Sequence, residues 1–175
     1  MKRKIIFIFC LMSIVFNGCS QNRIIPGAER MEQYLPLLKG KKIGLFANQT
    51  SMVGRMHLVD TLQKSGVNVS MIFGPEHGFR GTADAGEKVG NYVDEKTGIP
   101  VVSLYGSKHR PSADDLKDID ILVFDLQDVG TRFYTFINSM QQYMEAAFEN
   151  GKPLIILDRP NPNGFYVDGP VLDLK

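Results

Sequence analysis

Five short apolar runs, each closed by a cluster of polar residues, limit what this chain can fold into. They lie at 42–47, 67–73, 100–104, 121–124 and 153–157. Each is rich in Ile, Val, Leu or Phe with little polar alternation, the pattern of strands buried on both faces of a sheet. Helical periodicities lie between several of them. Met56, Val59 and Leu62, joined by Leu58, form one apolar stripe. Phe133, Phe136, Ile137, Met140, Met144 and Phe148 form a longer one, and Gly151 follows where a glycine ends a helix. Residues 28–38 read as a further helix. Pro111 and Ser112 open a short one, with Asp114 and Asp115 favourably near its positive end. Alternating strands and helices of this kind predict an α/β domain with a mostly parallel sheet.

The N-terminus follows a different logic. Lys2, Arg3 and Lys4 precede an apolar stretch over 5–16, too short to span a bilayer comfortably and suited to a secretory signal. Gly18 and Cys19 then resemble a bacterial lipobox, with Phe16 in place of the usual Leu. The expectation is a signal peptide over 1–18, a lipidated tether over 19–27 beginning at Cys19, and a folded domain over 28–175. The protein would then be an exported lipoprotein, membrane-anchored and facing the periplasm or cell surface. Cys10 and Cys19 are the two cysteines of the sequence, so the folded part has no thiol for a disulfide, a metal or a nucleophile. Removing the three leading cations leaves 17 basic against 19 acidic residues, a net charge of −2. No basic stripe remains for a nucleic-acid backbone.

The polar ends of the strands carry the functional argument. Ligands of open α/β sheets bind beyond the carboxyl ends of the strands. Here those ends read Asn48-Gln49-Thr50-Ser51, Gly74-Pro75-Glu76-His77-Gly78, Tyr105-Gly106, Asp125-Leu126-Gln127-Asp128 and Asp158-Arg159-Pro160-Asn161. A parallel sheet would bring all of them to one edge, as a polar ligand requires. Pro75 and the flanking glycines make a tight turn that can aim Glu76. That carboxyl could act as a general acid or simply cap a backbone N–H, and the local string fits both. His77 can order the same loop. Asp125, Gln127 and Asp128 suit sugar hydroxyls, or loop capping. Arg80, Arg132 and Arg159 are candidate partners for an anionic group on the ligand, or for a structural Asp. Tyr105 and Tyr134 could stack on a sugar ring or pack. There is no GxGxxG or GxxxxGK[ST] string. His57, His77 and His109 lie on separate elements without metal-ligand spacing, so neither metal nor cofactor is expected.

Taken together, several strings resemble a known family. They are Phe46-Ala47-Asn48-Gln49-Thr50, Phe73-Gly74-Pro75-Glu76-His77-Gly78-Phe79-Arg80-Gly81, the stretch from Phe124 to Thr135 and Leu157-Asp158-Arg159-Pro160-Asn161-Pro162. They are similar to the peptidoglycan exo-β-N-acetylmuramidases, from about Gly40 to the last residue. The resemblance implies a Rossmann-like N-terminal domain, an open, mostly parallel sheet with helices on both faces. It also implies release of N-acetylmuramic acid from non-reducing ends of peptidoglycan fragments, with Glu76 as the catalytic residue. Asp125 or Asp128 would be the second participant unless the substrate's own acetamido group serves. Asn48, Thr50, His77, Arg80, Gln127, Arg132, Tyr134, Asp158, Arg159 and Asn161 are the expected substrate contacts. Members of the family are longer and carry a C-terminal domain, so the expectation is an N-terminal part. A non-catalytic muropeptide-binding lipoprotein is the alternative.

Overall fold

The computed structural model describes residues 24–81, 90–171 and 173. The signal peptide and the Cys19 anchor lie outside the described residues. A 3-10 turn at Gly27–Glu29 leads into α1 (Met31–Leu38), β1 (Lys42–Ala47), a small hairpin of β2 (Met52–Val53) and β3 (Met56–His57), and α2 (Leu58–Lys64). Next come β4 (Asn68–Gly74), β5 (Tyr92–Val93), β6 (Pro100–Ser103), α3 (Ala113–Leu116), β7 (Ile121–Asp125), α4 (Phe136–Glu149) and β8 (Leu154–Ile156). The five apolar runs are thus β1, β4, β6, β7 and β8, within a residue or two of the expected bounds.

These five strands run parallel in the order β6-β4-β1-β7-β8, with the two-residue β5 antiparallel on the β6 edge. From β1 the chain moves to one side through β4 and β6, and then to the other through β7 and β8. The order therefore reverses beside β1, where sheets of this type open a crevice at their carboxyl edge.

Strand alternation sorts the core into two layers. Ile43, Leu45, Ile72, Val101 and Val123 face α1 and α2, where Tyr34, Leu38, Leu58 and Leu62 cover them. Phe46, Phe73, Val102, Leu122 and Phe124 face α3 and α4, where Leu116, Tyr143, Ala146 and Ala147 cover them. Burying such a side chain contributes about 1.5–3 kcal/mol relative to leaving it in water, so both layers are needed. The expectation of helices on both faces of a mostly parallel sheet is met.

Two helical expectations change. Met56 belongs to β3 and not to the following helix, because His57 caps that helix by accepting from the Val59 N–H at 3.3 Å. The long stripe on α4 is also rotated from the expected one. The covered row is Phe136, Met140, Tyr143 and Ala147, with Ala146 beside it. Ile137, Met144 and Phe148 face outward, Phe148 with 88% of its surface exposed. The reason is close approach: two alanines let the helix lie near the sheet, and the Tyr143 hydroxyl then reaches the Gly44 carbonyl at 3.1 Å. Gly44 stands where the β1–β4 register shifts, and a Cβ there would come within 2.8 Å of Leu122. At the other end of α4, Gly151 at φ +60° and Lys152 donate back to Phe148 and Ala147, a Schellman stop as the glycine predicts.

Candidate active site

Three neighbouring strands, β4, β1 and β7, deliver their following loops to one edge of the sheet. The loop after β1 is fixed by its own polar side chains. Asn48 is buried, and its Oδ1 accepts from the Thr50 N–H at 3.0 Å and the Thr50 hydroxyl at 2.7 Å. The Ser51 hydroxyl accepts from the Asn48 N–H at 3.0 Å and donates to the Asp125 carbonyl at 2.5 Å, tying this loop to the end of β7. His57 closes the arrangement from below. Its Nδ1 accepts from Val59, so Nε2 carries the proton and donates to the Asn48 carbonyl at 2.8 Å. Burial pushes the imidazole pKa below its ordinary value.

The loop after β4 is a tight turn in which the Gly78 N–H donates to the Pro75 carbonyl at 3.0 Å. His77 occupies its third position at φ +68°, the one non-glycine residue with positive φ among the described residues. That backbone is uncommon for a residue with a side chain, and such strain gathers at functional sites. The turn presents the half-buried Glu76 carboxylate at the sheet edge, facing the Tyr105 hydroxyl. The contact holds the phenol's pKa above its ordinary value.

A cavity of about 340 Å³ opens beside this turn. Asn48 and Thr50 line it from β1, Glu76 and His77 from β4, and Gln127 and Tyr134 from the loop after β7. Six expected residues therefore meet in one place. Gln127 is steadied there by donating to the Pro160 carbonyl at 2.8 Å. Gln49, Phe133 and Phe136 line the same cavity and were not foreseen as site residues. The two aromatics look like core in an apolar stripe, yet Phe133 precedes the helix and is 82% exposed. Phe136, the first residue of the helix, packs against the core and borders the cavity as well.

Other expected residues stand elsewhere. Asp125 and Arg159 form a bidentate pair, Nε to Oδ1 at 2.6 Å and Nη2 to Oδ2 at 2.9 Å. Asp125 is fully buried and absent from the cavity lining, so a role as second catalytic carboxylate does not fit its position. Burial pushes its pKa up, partly offset by Arg159. Arg159 also donates to the Met52 carbonyl at 2.9 Å and has little left for an anionic ligand. Asp128, Asp158 and Asn161 line a separate groove between α4 and β8. Asp128 accepts from the Gly130 N–H at 3.3 Å, and Asn161 accepts from the Asn163 N–H at 2.8 Å, both as loop caps. Arg132 is exposed and donates to the Pro170 carbonyl at 2.7 Å.

Arg80 is likewise committed. It grips Asp94 through Nε at 2.7 Å and Nη2 at 2.8 Å, reaches Asp60 at 3.4 Å, and lies over the Phe79 ring. Lys96 also pairs with Asp60. Arg80, with burial opposing and Thr97 assisting, holds the Asp94 carboxyl below its ordinary value. Burial pushes Asp60 up, but Lys96 and Arg80 more than offset it and its pKa is lowered too. A depressed carboxylate pKa contributes stability above the unfolded value, about 3.9, and the contribution is lost as pH falls through the folded value. Acidification below about pH 4 is therefore expected to lower the melting temperature steeply. Asp94→Asn should be less stable at neutral pH and show a shallower acid limb; an acid limb identical to wild type would show that this cluster does not set it.

The profile of the family described as Exo-beta-N-acetylmuramidase NamZ, N-terminal, matches residues 43–175. A Bacillus subtilis (strain 168) protein named Peptidoglycan beta-N-acetylmuramidase NamZ is 51% identical over 146 residues, covering 82% of this chain and 35% of that protein. The chain thus spans about a third of that relative's length. Two crystal structures of DUF1343 family proteins from Bacteroides fragilis NCTC 9343 align with TM-scores of 0.71 and 0.73 at 50% and 43% identity. Each alignment covers 85% of this chain and 38% of the solved one.

Proposed function

Because the chain belongs to the NamZ exo-beta-N-acetylmuramidase family through its N-terminal part, we propose that it serves the hydrolysis of a terminal N-acetylmuramic acid from peptidoglycan fragments, with Glu76 as general acid. The observation that supports this most is the position of Glu76. Its carboxylate stands at the carboxyl edge of the sheet, and no cation pairs with it among the described residues. It faces a cavity with aromatic rings and amides, groups that stack on and hydrogen-bond a sugar.

The chemistry follows from what glycoside cleavage needs. An alkoxide leaves poorly, so Glu76 gives its proton to the bridging oxygen as the bond from that oxygen to the anomeric carbon breaks. Among the described residues no second carboxylate lines the Glu76 cavity. That favours attack by the substrate's acetamido oxygen on the anomeric carbon, giving a cyclic intermediate. Water then opens the ring, and its proton returns to the Glu76 carboxylate. The product keeps the β configuration. Tyr105 hydrogen-bonds Glu76 and helps to hold the carboxyl in place. Of the three arginines expected to meet the lactyl carboxylate, Arg132 is the one without an Asp partner among the described residues, and this reading assigns it that group.

The test is to incubate the protein with a disaccharide bearing N-acetylmuramic acid at its non-reducing end and to follow free N-acetylmuramic acid by mass spectrometry, with proton NMR for the anomer first formed. Release of the β anomer is expected. Saturable binding without release, by folded protein, would replace the hydrolase with a muropeptide-binding role.

A further inference from the structure

Glu76 lines two cavities, and Thr135 is the other residue common to both. The second, of about 270 Å³, is bounded by Glu76, Tyr105, His109, Asn138, Ser139 and Gln142 and does not include His77. Its volume and that of the first, about 340 Å³, both stand near the lower end of ligand pockets, which run roughly 300–1,000 Å³. Each is on the scale of one small ring rather than a chain of them.

Both cavities mix apolar and polar groups. The first sets the rings of Phe133, Tyr134 and Phe136 against the amides of Asn48, Gln49 and Gln127. The second sets Pro75, Leu104 and Tyr105 against His109, Ser139 and the amides of Asn138 and Gln142. Asn138 and Gln142 are four residues apart on α4, so their side chains stand one above the other on the same helix face. Among the described residues neither amide is held by another group. Side-chain amides left open in a concave place, each with a donor and an acceptor, suit the hydroxyl and acetamido groups of a sugar.

An acid that protonates a bridging oxygen must stand between the ring that keeps the anomeric carbon and the ring that departs with the oxygen. A carboxyl shared by two ring-sized cavities meets that requirement. We propose that the second cavity receives the leaving sugar, an N-acetylhexosamine, with Asn138 and Gln142 as its specificity-determining contacts. The proposal rests on the hydrolase reading for its direction. The first cavity, beside the loop that carries Arg132, takes the ring that is released, and the second takes the ring that leaves with the protonated oxygen.

The test compares two substrates of the full chain. One is N-acetylmuramic acid β-linked to N-acetylglucosamine. The other is an aryl β-glycoside of N-acetylmuramic acid, whose leaving group has no hydroxyl or acetamide to bond. Asn138→Ala and Gln142→Ala are each expected to lower kcat/KM for the disaccharide about tenfold, the scale of one lost hydrogen bond. The same variants should change the aryl glycoside less than about twofold. Equal losses on both substrates, or no loss on either, would overturn the assignment while the hydrolase stands. Should wild type cleave neither substrate, the hydrolase reading fails, and titration with N-acetylglucosamine then decides the cavity by NMR. Saturable shifts of the Asn138 and Gln142 side-chain amides would uphold a sugar site there, and unmoved signals would end it.

Discussion

Glu76→Gln is expected to lower release of N-acetylmuramic acid by about 10²–10⁴-fold, the usual range for a general acid. The variant keeps the shape of the side chain and an oxygen that can accept from Tyr105. It removes the exchangeable carboxyl proton. Glu76 is half-buried on a surface turn and has no salt bridge among the described residues, so its neutral isostere leaves no charge stranded. Melting temperature should therefore stay close to wild type. The loss should appear in kcat far more than in KM, because the proton is needed in the transition state and contributes little to holding the sugar. An aryl glycoside with a very acidic leaving phenol should suffer less, since such a group departs without protonation. Near-normal turnover of the disaccharide by a folded Glu76→Gln protein would remove Glu76 from the mechanism.

Arg159→Leu is expected to cost on the order of 3–5 kcal/mol of stability, because it leaves the Asp125 carboxylate buried without its partner. The discount for exposed ion pairs does not apply, with side-chain exposures of 8% for Arg159 and 0% for Asp125. The Met52 carbonyl loses a donor as well. For a chain of this size the fall in melting temperature would be on the order of 10 °C. Adding Asp125→Asn to Arg159→Leu should recover part of it, since the amide carries no charge to desolvate. The pair also joins the end of β7 to the loop after β8, and the Ser51 bond hangs the loop after β1 on the same residue. Denaturant unfolding measures the first effect, and exchange of the Asn48–Ser51 amides measures the second. A loss below about 1 kcal/mol would place this pair with surface bridges that contribute little.

How much of this was legible beforehand depends on the interaction that decides each feature. A strand inside a sheet announces itself, because most of its residues are apolar, and β1, β4, β6, β7 and β8 can be placed to within a residue or two from composition, although β8 at the sheet edge is only partly covered. A helix is harder. Phe133 and five large apolar residues of α4 suggest one stripe, yet the sheet takes the row that includes Ala146, Ala147 and Tyr143. Small residues carry a weak hydrophobic signal, and their value lies in letting two backbones approach. The hairpin holding Met56 was hidden for a related reason. Its two strands have two residues each, too few to show any period.

The candidate site divides in the same way. Glu76, Asn48, Thr50 and Gln127 could be gathered from the sequence because each directly follows a buried strand, and parallel strands share one carboxyl edge. The arginines could not be assigned. Arg80 and Arg159 read equally as ligand clamps or structural partners until the fold brings Asp94 and Asp125 against them from 14 and 34 residues away. Asn138, Ser139 and Gln142 read as the polar face of a helix, since nothing local says that this face borders Glu76. The sequence by itself determined the layered α/β architecture and the edge on which a ligand must be met, because strand burial and chain direction are written in short-range patterns. Only the tertiary structure decided which charges remain free for a ligand and which spend themselves on one another, because an ion pair depends on distances that close when the sheet assembles.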